Sequence, residues 1–494
     1  MENSEIEYAI TRDGTGERFP FVNNGRPKKG ASKEVFFSPK GDYAIAFYKK
    51  GLDSFQLERL KCIVGSGDCR KNYKEMLFNS HGGDYWKKCF CWPQRIVYHS
   101  NGKIGFMMPV YPSHFFGRNN RTKTAAWLSP RVYNKYLEAE EKGNLQSFLS
   151  SLLMLNRAIR KLHNMGMAHG DISLNNCLID PVSGTSCVID IDGLVVPGLY
   201  PPDVHGSPEY MAPEIVVTKH LQLGMPGKIL PSCETDLHSL AVLNYFCLFH
   251  RHPLEGSCTF GAADTESQEK LTYGQNALFV ENPNDRRNRP MVKQLDDRLP
   301  WVDVERLPYT IIGKFLQQVI EKAFIAGLHS PKERPTAGEW ENAFRKTQNL
   351  LLPCSNESCS KKYFVCTNEI NPRCPYCGTS YNVSFPILEF YSERKNSRFA
   401  VEELLGYNGC NIYQWHTDRT VHNDEFLTDE QRTPVASILY KNKTWQLVNH
   451  NIPLMKNLAT EKNIKPHHAV ELKNNLQILL PNERFLHIHF NEKG

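Results

Sequence analysis

The sequence predicts a multidomain α+β protein, and three observations support that fold class. Residues 5–110 contain several short strand-like segments, residues 144–350 show apolar side chains at helical spacing, and residues 383–494 return to short alternating segments. A cysteine cluster separates the helical part from the C-terminal strands. At 494 residues, the chain is also too long for a single hydrophobic core and has the length of about three domains.

The N-terminal part has the pattern of a small sheet with one helix. Strands are predicted at 35–37, 43–48, 95–98 and 104–110, because apolar and β-branched residues alternate there between turn residues. The segment 53–64 has the spacing of a helix. We therefore expect a strand-rich region to precede the helical one.

The helical part begins with a clearly amphipathic segment. Its apolar side chains recur at helical intervals and stop near Gly166; they are Phe148, Leu152, Leu155, Ile159 and Leu162. Near the C-terminus, short alternating segments indicate a β-sandwich or barrel; they are 437–440, 444–448, 469–472, 476–480 and 485–490. The order is thus a strand-rich region, a helical region and a separate all-β domain.

Charge and composition exclude several classes of partner. The net charge of +6 is spread along the chain and not concentrated in a run, so nucleic acid is not indicated. Residues 1–20 have no signal-peptide core, and the most apolar stretch, 237–249, is too short to cross a bilayer. Ten of the 15 cysteines are scattered without a repeated spacing, which suits free thiols. We expect a cytoplasmic protein without a membrane partner.

Polar residues with the spacing of a phosphoryl-transfer site follow the amphipathic helix. Asp171 lies in the segment His-Gly-Asp-Ile-Ser-Leu-Asn-Asn, and Asn176 comes five residues later. An Asp there can orient and accept the proton of an attacking hydroxyl, while the Asn holds magnesium. A second strand then delivers Asp190 and Asp192, and a carboxylate at that place can hold magnesium that bridges ATP phosphates. Both segments are predicted to point into one cleft.

Over about residues 25–350, these segments resemble the protein kinase superfamily. The resemblance extends to 206–214 (Gly-Ser-Pro-Glu-Tyr-Met-Ala-Pro-Glu), 236–241 and 334–337. It implies a two-lobed protein-kinase-like fold, with a first lobe to about residue 112 and an extension over 1–24. It further implies use of ATP and Mg²⁺, a catalytic role for the aspartates and asparagine above, and a buried ion pair between Glu214 and Arg334.

The chain departs from the kinase pattern at several positions. Gly170 stands where many kinases have Arg, and Ala46 stands where the phosphate-binding Lys is expected. The nucleotide loop keeps one glycine, Gly30. Because ATP phosphates need a cation, we predict that Lys33, on the nucleotide loop, replaces the missing lysine, with Lys49 as the second candidate.

Three further positions in the first lobe take roles by resemblance. Glu58, on the predicted helix, is the expected ion-pair partner of the phosphate-binding cation. The strand that contains Met108 and leads to Tyr111 is similar to the one before a kinase hinge. The resemblance implies that backbone groups of residues 109–111 hydrogen-bond adenine.

Four cysteines have the spacing of a structural zinc site. Cys354 and Cys359 form one close pair, and Cys374 and Cys377 form another, so two knuckles can converge on one tetrahedral Zn²⁺. The predicted zinc ribbon covers 353–382. Cys366 occupies an apolar strand position and is left out of the ligand set.

A kinase domain followed by such a ribbon resembles a narrower bacterial group. In that group, kinases are encoded beside tellurite-resistance-type von Willebrand A proteins and a metal-dependent protein phosphatase. The resemblance rests on the phosphoryl-transfer motifs, the segment 192–198 (Asp-Gly-Leu-Val-Val-Pro-Gly) and the ribbon. It implies a serine/threonine-protein kinase in stress or defence signalling, with a von Willebrand A protein as partner or substrate.

Residues 383–494 are predicted to form a β-sandwich-like domain. The pattern is distantly similar to forkhead-associated domains, although the phosphate-gripping Arg and Ser-x-x-His group of that family cannot be located. His487 and His489 alternate with Leu486, Ile488 and Phe490, so the two histidines are expected on an exposed face rather than as metal ligands.

Two other functions fit part of the sequence. A small-molecule kinase of the aminoglycoside phosphotransferase type also uses an HGD…N…D pattern, but the contexts of Glu214, Asp236 and Arg334 favour a protein kinase. A pseudokinase scaffold would explain Ala46 and the poor glycine loop. The presence of Asp171, Asn176 and Asp190 favours an active enzyme.

Overall fold

A computed structural model describes residues 5–25, 27–30, 32–67, 69, 71–128, 137–196, 199, 206–259, 264–290, 303–394 and 397–491. The chain divides into two compact units. The first contains residues 1–142, 150–308 and 319–341, and the second contains 143–149, 309–318 and 342–494. Pro197 and Gly198 of the predicted 192–198 motif lie outside the described residues.

The first unit contains a seven-stranded sheet with the order β2-β1-β6-β7-β5-β4-β3 and antiparallel pairing throughout. Its strands are β1 (Glu5–Ile10), β2 (Arg18–Asn23), β3 (Lys28–Lys29), β4 (Lys33–Phe37), β5 (Tyr43–Tyr48), β6 (Arg95–His99) and β7 (Ile104–Pro109). The strands predicted from the sequence between residues 35 and 110 are confirmed. The segment 1–24, set apart as an extension, contributes β1 and β2 to this sheet.

Both faces of the sheet are covered by apolar side chains. One face packs the buried residues Ala9, Phe21, Ile45, Phe47 and Val97. The other face packs Ala46, Ile96 and Phe106 against Leu60 and Val64 of the following helix. Because side chains alternate along a strand, neighbouring residues of β5 supply both clusters.

The helices within the described residues are α1 (Ser54–Val64), α2 (Tyr73–Phe78), α3 (Gly83–Cys89), α4 (Leu145–Asn164), α5 (Pro213–Thr218), α6 (Cys233–Phe249), α7 (Thr265–Tyr273), α8 (Lys314–Glu321), α9 (Ala337–Gln348) and α10 (Gln414–Thr417). Local chemistry sets the bounds of α1. The Asp53 side chain accepts a hydrogen bond from the Gln56 backbone, and the Gln56 side chain accepts one from the Asp53 backbone. The helix ends at Gly65, which has a left-handed φ of 73°.

Two further strands, β8 (Cys177–Asp180) and β9 (Thr185–Val188), form a small antiparallel sheet beyond α4. Helix α6 is apolar nearly all round and is buried over most of its length. None of the helices within the described ranges is long and apolar enough to cross a membrane.

The predicted ion pair between Glu214 and Arg334 is confirmed. Arg334 donates through Nη1 and Nη2 to the two carboxylate oxygens of Glu214, each at 2.7 Å. The Arg334 side chain is 1% exposed, and it also donates to the backbone oxygens of Glu234 and Gly327. This fork ties the start of α5 to the loop before α9.

Arg334→Met is expected to lower the free energy of unfolding by about 3–5 kcal/mol, because it leaves the Glu214 carboxylate without its buried partner. Chemical denaturation of the full chain measures the change. Lys332→Met, two residues away on the same loop, is the control and should change the stability by less than about 0.5 kcal/mol. Equal stability of Arg334→Met and the wild type would contradict a structural role for the pair.

Among its described residues, the second unit forms three antiparallel sheets. A two-stranded sheet pairs β10 (Leu351–Pro353) with β11 (Tyr363–Val365). The five-stranded sheet has the order β13-β12-β20-β19-β17, and the four-stranded sheet has the order β14-β15-β16-β18. Their strands are β12 (Pro386–Arg394), β13 (Ser397–Leu405), β14 (Cys410–Ile412), β15 (Ala436–Lys441), β16 (Thr444–Asn449), β17 (Lys456–Asn457), β18 (Ala469–Glu471), β19 (Leu476–Leu480) and β20 (Arg484–Phe490).

Candidate functional site

The loop between α4 and β8 is held rigidly by one buried carboxylate. Asp236, at the start of α6 and 1% exposed, accepts hydrogen bonds from the backbone nitrogens of His169 at 2.6 Å and Gly170 at 2.9 Å. Gly170 has a φ of 77°, and a Cβ there would lie 2.9 Å from the Val195 side chain. A glycine therefore suits this position better than the arginine of many kinases.

His169 joins this loop to the strand end that carries the other carboxylates. Its Nδ1 accepts a hydrogen bond from the Asp171 backbone at 3.3 Å, and its Nε2 lies 2.9 Å from the Ile189 backbone oxygen. The imidazole must then carry its hydrogen on Nε2. The Ile189 backbone nitrogen also donates to the Asn176 backbone oxygen at 3.0 Å. These bonds fix residues 169–176 beside residue 190.

Asp171 and Asn176 are brought together as predicted for a phosphoryl-transfer loop. The Asn176 Nδ2 donates to Asp171 Oδ2 at 2.8 Å and to the Asp171 backbone oxygen at 2.9 Å. The Ser207 backbone nitrogen donates to Asp171 Oδ1 at 3.2 Å. Gly206 allows this approach, since a Cβ there would lie 3.2 Å from the Gly170 oxygen. Burial raises the pKa of Asp171.

Asp190 has an unusual backbone conformation for a residue with a side chain. Its φ is 63° and its ψ is 41°, which lies in the left-handed region. Asp tolerates this conformation better than most residues, and such strain is concentrated at functional sites. The Asp190 side chain is 44% exposed, whereas the Asp192 side chain is 6% exposed. Asp190 therefore offers its carboxylate to a ligand, and Asp192 is enclosed by protein.

Lys33 bridges the two carboxylates. Its Nζ lies 2.6 Å from Asp190 Oδ1 and 2.7 Å from Asp192 Oδ1, and it is also 5.5 Å from the centre of the Phe106 ring. Burial alone would lower the pKa of Lys33, but Asp192 and Asp190 raise it well above its ordinary value. Burial would raise the pKa of the Asp190 carboxyl, but Lys33 outweighs that effect and lowers this pKa. The two carboxylates thus favour the charged form of the Lys33 side chain.

The strand register explains how Lys33 reaches this place. Lys33 is the first residue of β4, not a loop residue as the sequence suggested, and it pairs with Tyr48 of β5. Ala46 is 1% exposed and packs in the cluster with Leu60 and Val64, so its position is apolar. A cation from the adjacent strand thereby stands next to the carboxylates.

Tyr48 and Asp236 are site residues whose roles the sequence did not indicate. The Tyr48 hydroxyl donates to Asp192 Oδ2 at 2.6 Å, so Asp192 is held by both Lys33 and Tyr48. Burial and then Asp192 raise the pKa of Tyr48 well above its ordinary value. The sequence offered one indication for Tyr48. It lies two residues after Ala46 on β5, and alternate residues of a strand share a face.

Gly30 and Glu58, two other residues predicted to bind the cofactor, have different surroundings from Lys33. Gly30 is exposed and lies in the turn before β4, where its nitrogen donates to the Lys33 oxygen and its oxygen accepts from Lys49 Nζ at 2.6 Å. Glu58 pairs with Lys61 one turn along α1 at 2.7 Å. The structure thus pairs Lys33 with the two aspartates and Glu58 with a surface lysine, since residues three apart on a helix are neighbours.

Met108, Tyr111 and Ile189 form an apolar wall. They pack on a buried cluster of Cys91, Phe115, Leu178 and Cys187. Burial raises the pKa of Tyr111 above its ordinary range. Ile189 directly precedes Asp190, so an apolar surface adjoins the carboxylate.

In the second unit, the four predicted cysteines converge. Cys354, Cys359, Cys374 and Cys377 place their sulfur atoms within 4.8 Å of one another. The Cys354–Cys377 and Cys359–Cys374 sulfur distances are 3.5 and 3.9 Å. Ligands of a tetrahedral ion with metal–sulfur bonds of about 2.3 Å lie about 3.8 Å apart, so the cluster fits one metal ion. Cys366 lies apart, with its sulfur 3.5 Å from the Asn368 oxygen.

Comparisons with known proteins show a distant similarity to protein kinases. The chain is 25% identical over 99 residues, 20% of its length, to a protein of Acanthamoeba polyphaga mimivirus named "Putative serine/threonine-protein kinase". The matched part is also 20% of the mimivirus protein. A crystal structure of a rhoptry kinase from Toxoplasma gondii aligns with a TM-score of 0.41 at 12% identity, covering 70% of this chain and 83% of that one. No family model matches the chain.

Proposed function

We propose that this chain is an ATP-dependent protein kinase that transfers the γ-phosphoryl group to a serine or threonine hydroxyl. The observation that carries the proposal is the convergence of Asp171, Asn176, Asp190 and Lys33 around one pair of loops. Transfer of a phosphoryl group depends mainly on positioning and on compensation of charge. These four side chains supply a base, two oxygen ligands and a cation.

Each side chain takes a role that follows from its contacts. Asp171 orients the attacking hydroxyl and accepts its proton, since Asn176 and Ser207 fix the direction of the carboxylate. Asn176 donates through its amide nitrogen, which turns its amide oxygen into a candidate ligand for Mg²⁺ together with Asp190. A bound Mg²⁺ would neutralise phosphate charge. Asp192 holds Lys33 in place.

Lys33 takes the role of the missing strand lysine. Its ammonium neutralises Asp190, the carboxylate that would face a metal ion, and is anchored by Asp192. The side chain of lysine is long and flexible, so Nζ can turn from Asp190 towards a phosphate while it keeps its bond to Asp192. The apolar wall of Met108, Tyr111 and Ile189 would receive the adenine ring.

A protein substrate is preferred over a small molecule because of the Glu214–Arg334 pair. This buried fork fixes the segment that begins near Gly206, whose backbone contacts Asp171 through Ser207. A fixed segment next to the base provides a surface on which a peptide can lie. A von Willebrand A protein as partner and a bacterial stress or defence context rest on the sequence resemblance and stay predictions.

The proposal is tested by incubating the purified full chain with γ-labelled ATP, MgCl₂ and general protein substrates. Label in phosphoserine or phosphothreonine is the expected result. A parallel panel of aminoglycosides tests the small-molecule alternative, in which label would appear only in the antibiotic. ATP binding without transfer to any acceptor would favour the scaffold function, and the absence of both binding and transfer would refute the proposal.

We also propose that the four-cysteine cluster holds a structural Zn²⁺. Cys374→Ser is expected to reduce bound zinc by one equivalent per chain and to destabilise residues 354–380, because metal binding supplies folding free energy to such small elements. Elemental analysis and hydrogen exchange measure these effects. Cys366→Ser is the matched control and should retain all the zinc. Equal zinc in both variants would contradict the assignment.

A further inference from the structure

The five-stranded sheet of the second unit carries a group of polar side chains that no function described above uses. Glu389 of β12 lies directly opposite His487 of β20 in the antiparallel register. His489 is two residues further along β20, so it shares the face of His487. Leu388 and Leu486 point to the other face and are buried. The sheet geometry thus places one carboxylate and two imidazoles side by side.

The three groups point their donor atoms towards one another. Each residue offers one ligand atom, and the three atoms lie within 4.8 Å of each other. Glu389 Oε2 is 3.3 Å from His487 Nδ1 and 3.8 Å from His489 Nδ1. The second distance is too long for a hydrogen bond, and the first is at the long end of the range. Both separations lie within ion-pair distance, so the three groups form one cluster around Glu389 Oε2.

The same distances fit ligands of one metal ion. With metal–nitrogen and metal–oxygen bonds of about 2.0–2.2 Å, tetrahedral ligand atoms lie about 3.4 Å apart. Two histidines and one carboxylate form a donor set that Zn²⁺ uses at sites with an open position, and that other divalent transition metals also accept.

A neighbouring hydroxyl group orients the Glu389 carboxylate, as is usual for metal-binding side chains. The Tyr391 hydroxyl donates to Glu389 Oε2 at 2.8 Å and so fixes the carboxylate, which can still use another lone pair. The side chains of Glu389, His487 and His489 are 28%, 30% and 36% exposed. An ion can therefore enter from solvent, and water can fill the remaining coordination positions.

A second carboxylate lies next to these ligands. Glu403 of β13 is directly opposite Glu389 on the side away from His487. Both glutamates line a cavity of about 150 Å³, which Lys346 and Asn349 also line. A cation between Glu389 and the histidines would reduce the repulsion between the two carboxylates.

We propose that Glu389, His487 and His489 bind one divalent transition-metal ion, with Zn²⁺ as the ion of best fit and with open coordination positions towards solvent. The site is distinct from the four-cysteine cluster, because its donors are nitrogen and oxygen instead of sulfur. It is independent of the kinase proposal, since none of its residues belongs to the phosphoryl-transfer loops.

The test compares the zinc content of the full chain with that of His489→Ala and Glu389→Gln after equilibration with micromolar ZnCl₂. Each variant is expected to hold one equivalent less than the wild type. His468→Ala, which removes an exposed histidine in the loop before β18 of the same unit, is the matched control and should hold the wild-type amount. The test rests on the difference in zinc content between the wild type and each variant, because the cysteine cluster contributes the same amount to all of them.

Cobalt(II) substitution provides a second readout that separates the two sites. The intense sulfur-to-cobalt absorption should be unchanged in His489→Ala, while the weaker visible bands of a nitrogen and oxygen site should disappear. Circular dichroism of the metal-free proteins checks the fold, and Glu389→Gln decides the matter if His489→Ala is misfolded. Equal metal content in the wild type and a folded variant would overturn the proposal.

Discussion

Asp171→Asn is expected to lower kcat for phosphoryl transfer by about 10²–10⁴-fold, the usual contribution of a positioned general base. The amide cannot accept the proton of the attacking hydroxyl. It keeps one acceptor oxygen, so one of the two bonds to Asn176 and Ser207 is lost. The stability cost should therefore be only about 1 kcal/mol. Steady-state kinetics with labelled ATP measures kcat, and thermal melting checks the fold.

Asp84→Asn is the control for this substitution, because the Asp84 side chain is 93% exposed and pairs only one turn away with Lys87. Its activity should equal that of the wild type. Asp190→Asn should give a loss similar to that of Asp171→Asn, together with a higher magnesium requirement. Undiminished turnover in both the Asp171 and Asp190 variants would refute the enzyme function.

The loop residues could be predicted from the sequence because their chemistry is local. Asp171 and Asn176 lie five residues apart on one loop, and their side chains form a hydrogen bond within it. The same holds for the helix that ends at Gly65, whose start and end are set by neighbouring residues. Patterns of this kind need no information about distant parts of the chain.

Most long-range contacts could not be predicted in the same way, and the Glu214–Arg334 pair was expected only from the resemblance to kinases. The bond from Asp236 to residues 169 and 170 joins segments more than sixty residues apart, and the Tyr48–Asp192 bond joins β5 to residue 192. The convergence of Glu389 with two histidines depends on the register of β12 against β20. Side-chain periodicity predicts the face of a strand but not its partner strand. For that reason, the alternation of His487 and His489 indicated only an exposed face.

The role of Lys33 was predicted from the need for positive charge and not from a sequence motif. A site that binds phosphates needs a cation, and the absence of lysine at position 46 required another source. The sequence alone could not distinguish Asp190 from Asp192 as the metal ligand. The structure gives a physical distinction, because Asp190 is exposed and has a left-handed backbone while Asp192 is enclosed by Lys33 and Tyr48.

Lys33→Met is expected to lower kcat/KM for ATP by about 10- to 100-fold, since a hydrogen bond to a charged group contributes about 1.5–3 kcal/mol. Methionine keeps the length of the side chain but cannot compensate phosphate charge. Lys49→Met is the matched control: Lys49 is exposed and bonds to the Gly30 oxygen, so its loss should change kcat/KM by less than about threefold. Kinetics and nucleotide titration with both variants measure the difference.

Removal of Lys33 also leaves two neighbouring carboxylates without their bridging ammonium. Repulsion between Asp190 and Asp192 should then lower the melting temperature of the ligand-free variant, and Mg²⁺ should restore it by replacing the lost positive charge. The increase in melting temperature with MgCl₂ is therefore expected to be larger for Lys33→Met than for the wild type or Lys49→Met. A Lys33→Met protein with nearly normal turnover would refute the role of Lys33. Failure of the wild type and both variants to bind ATP would favour a scaffold, in which Lys33 serves only to hold the two aspartates together.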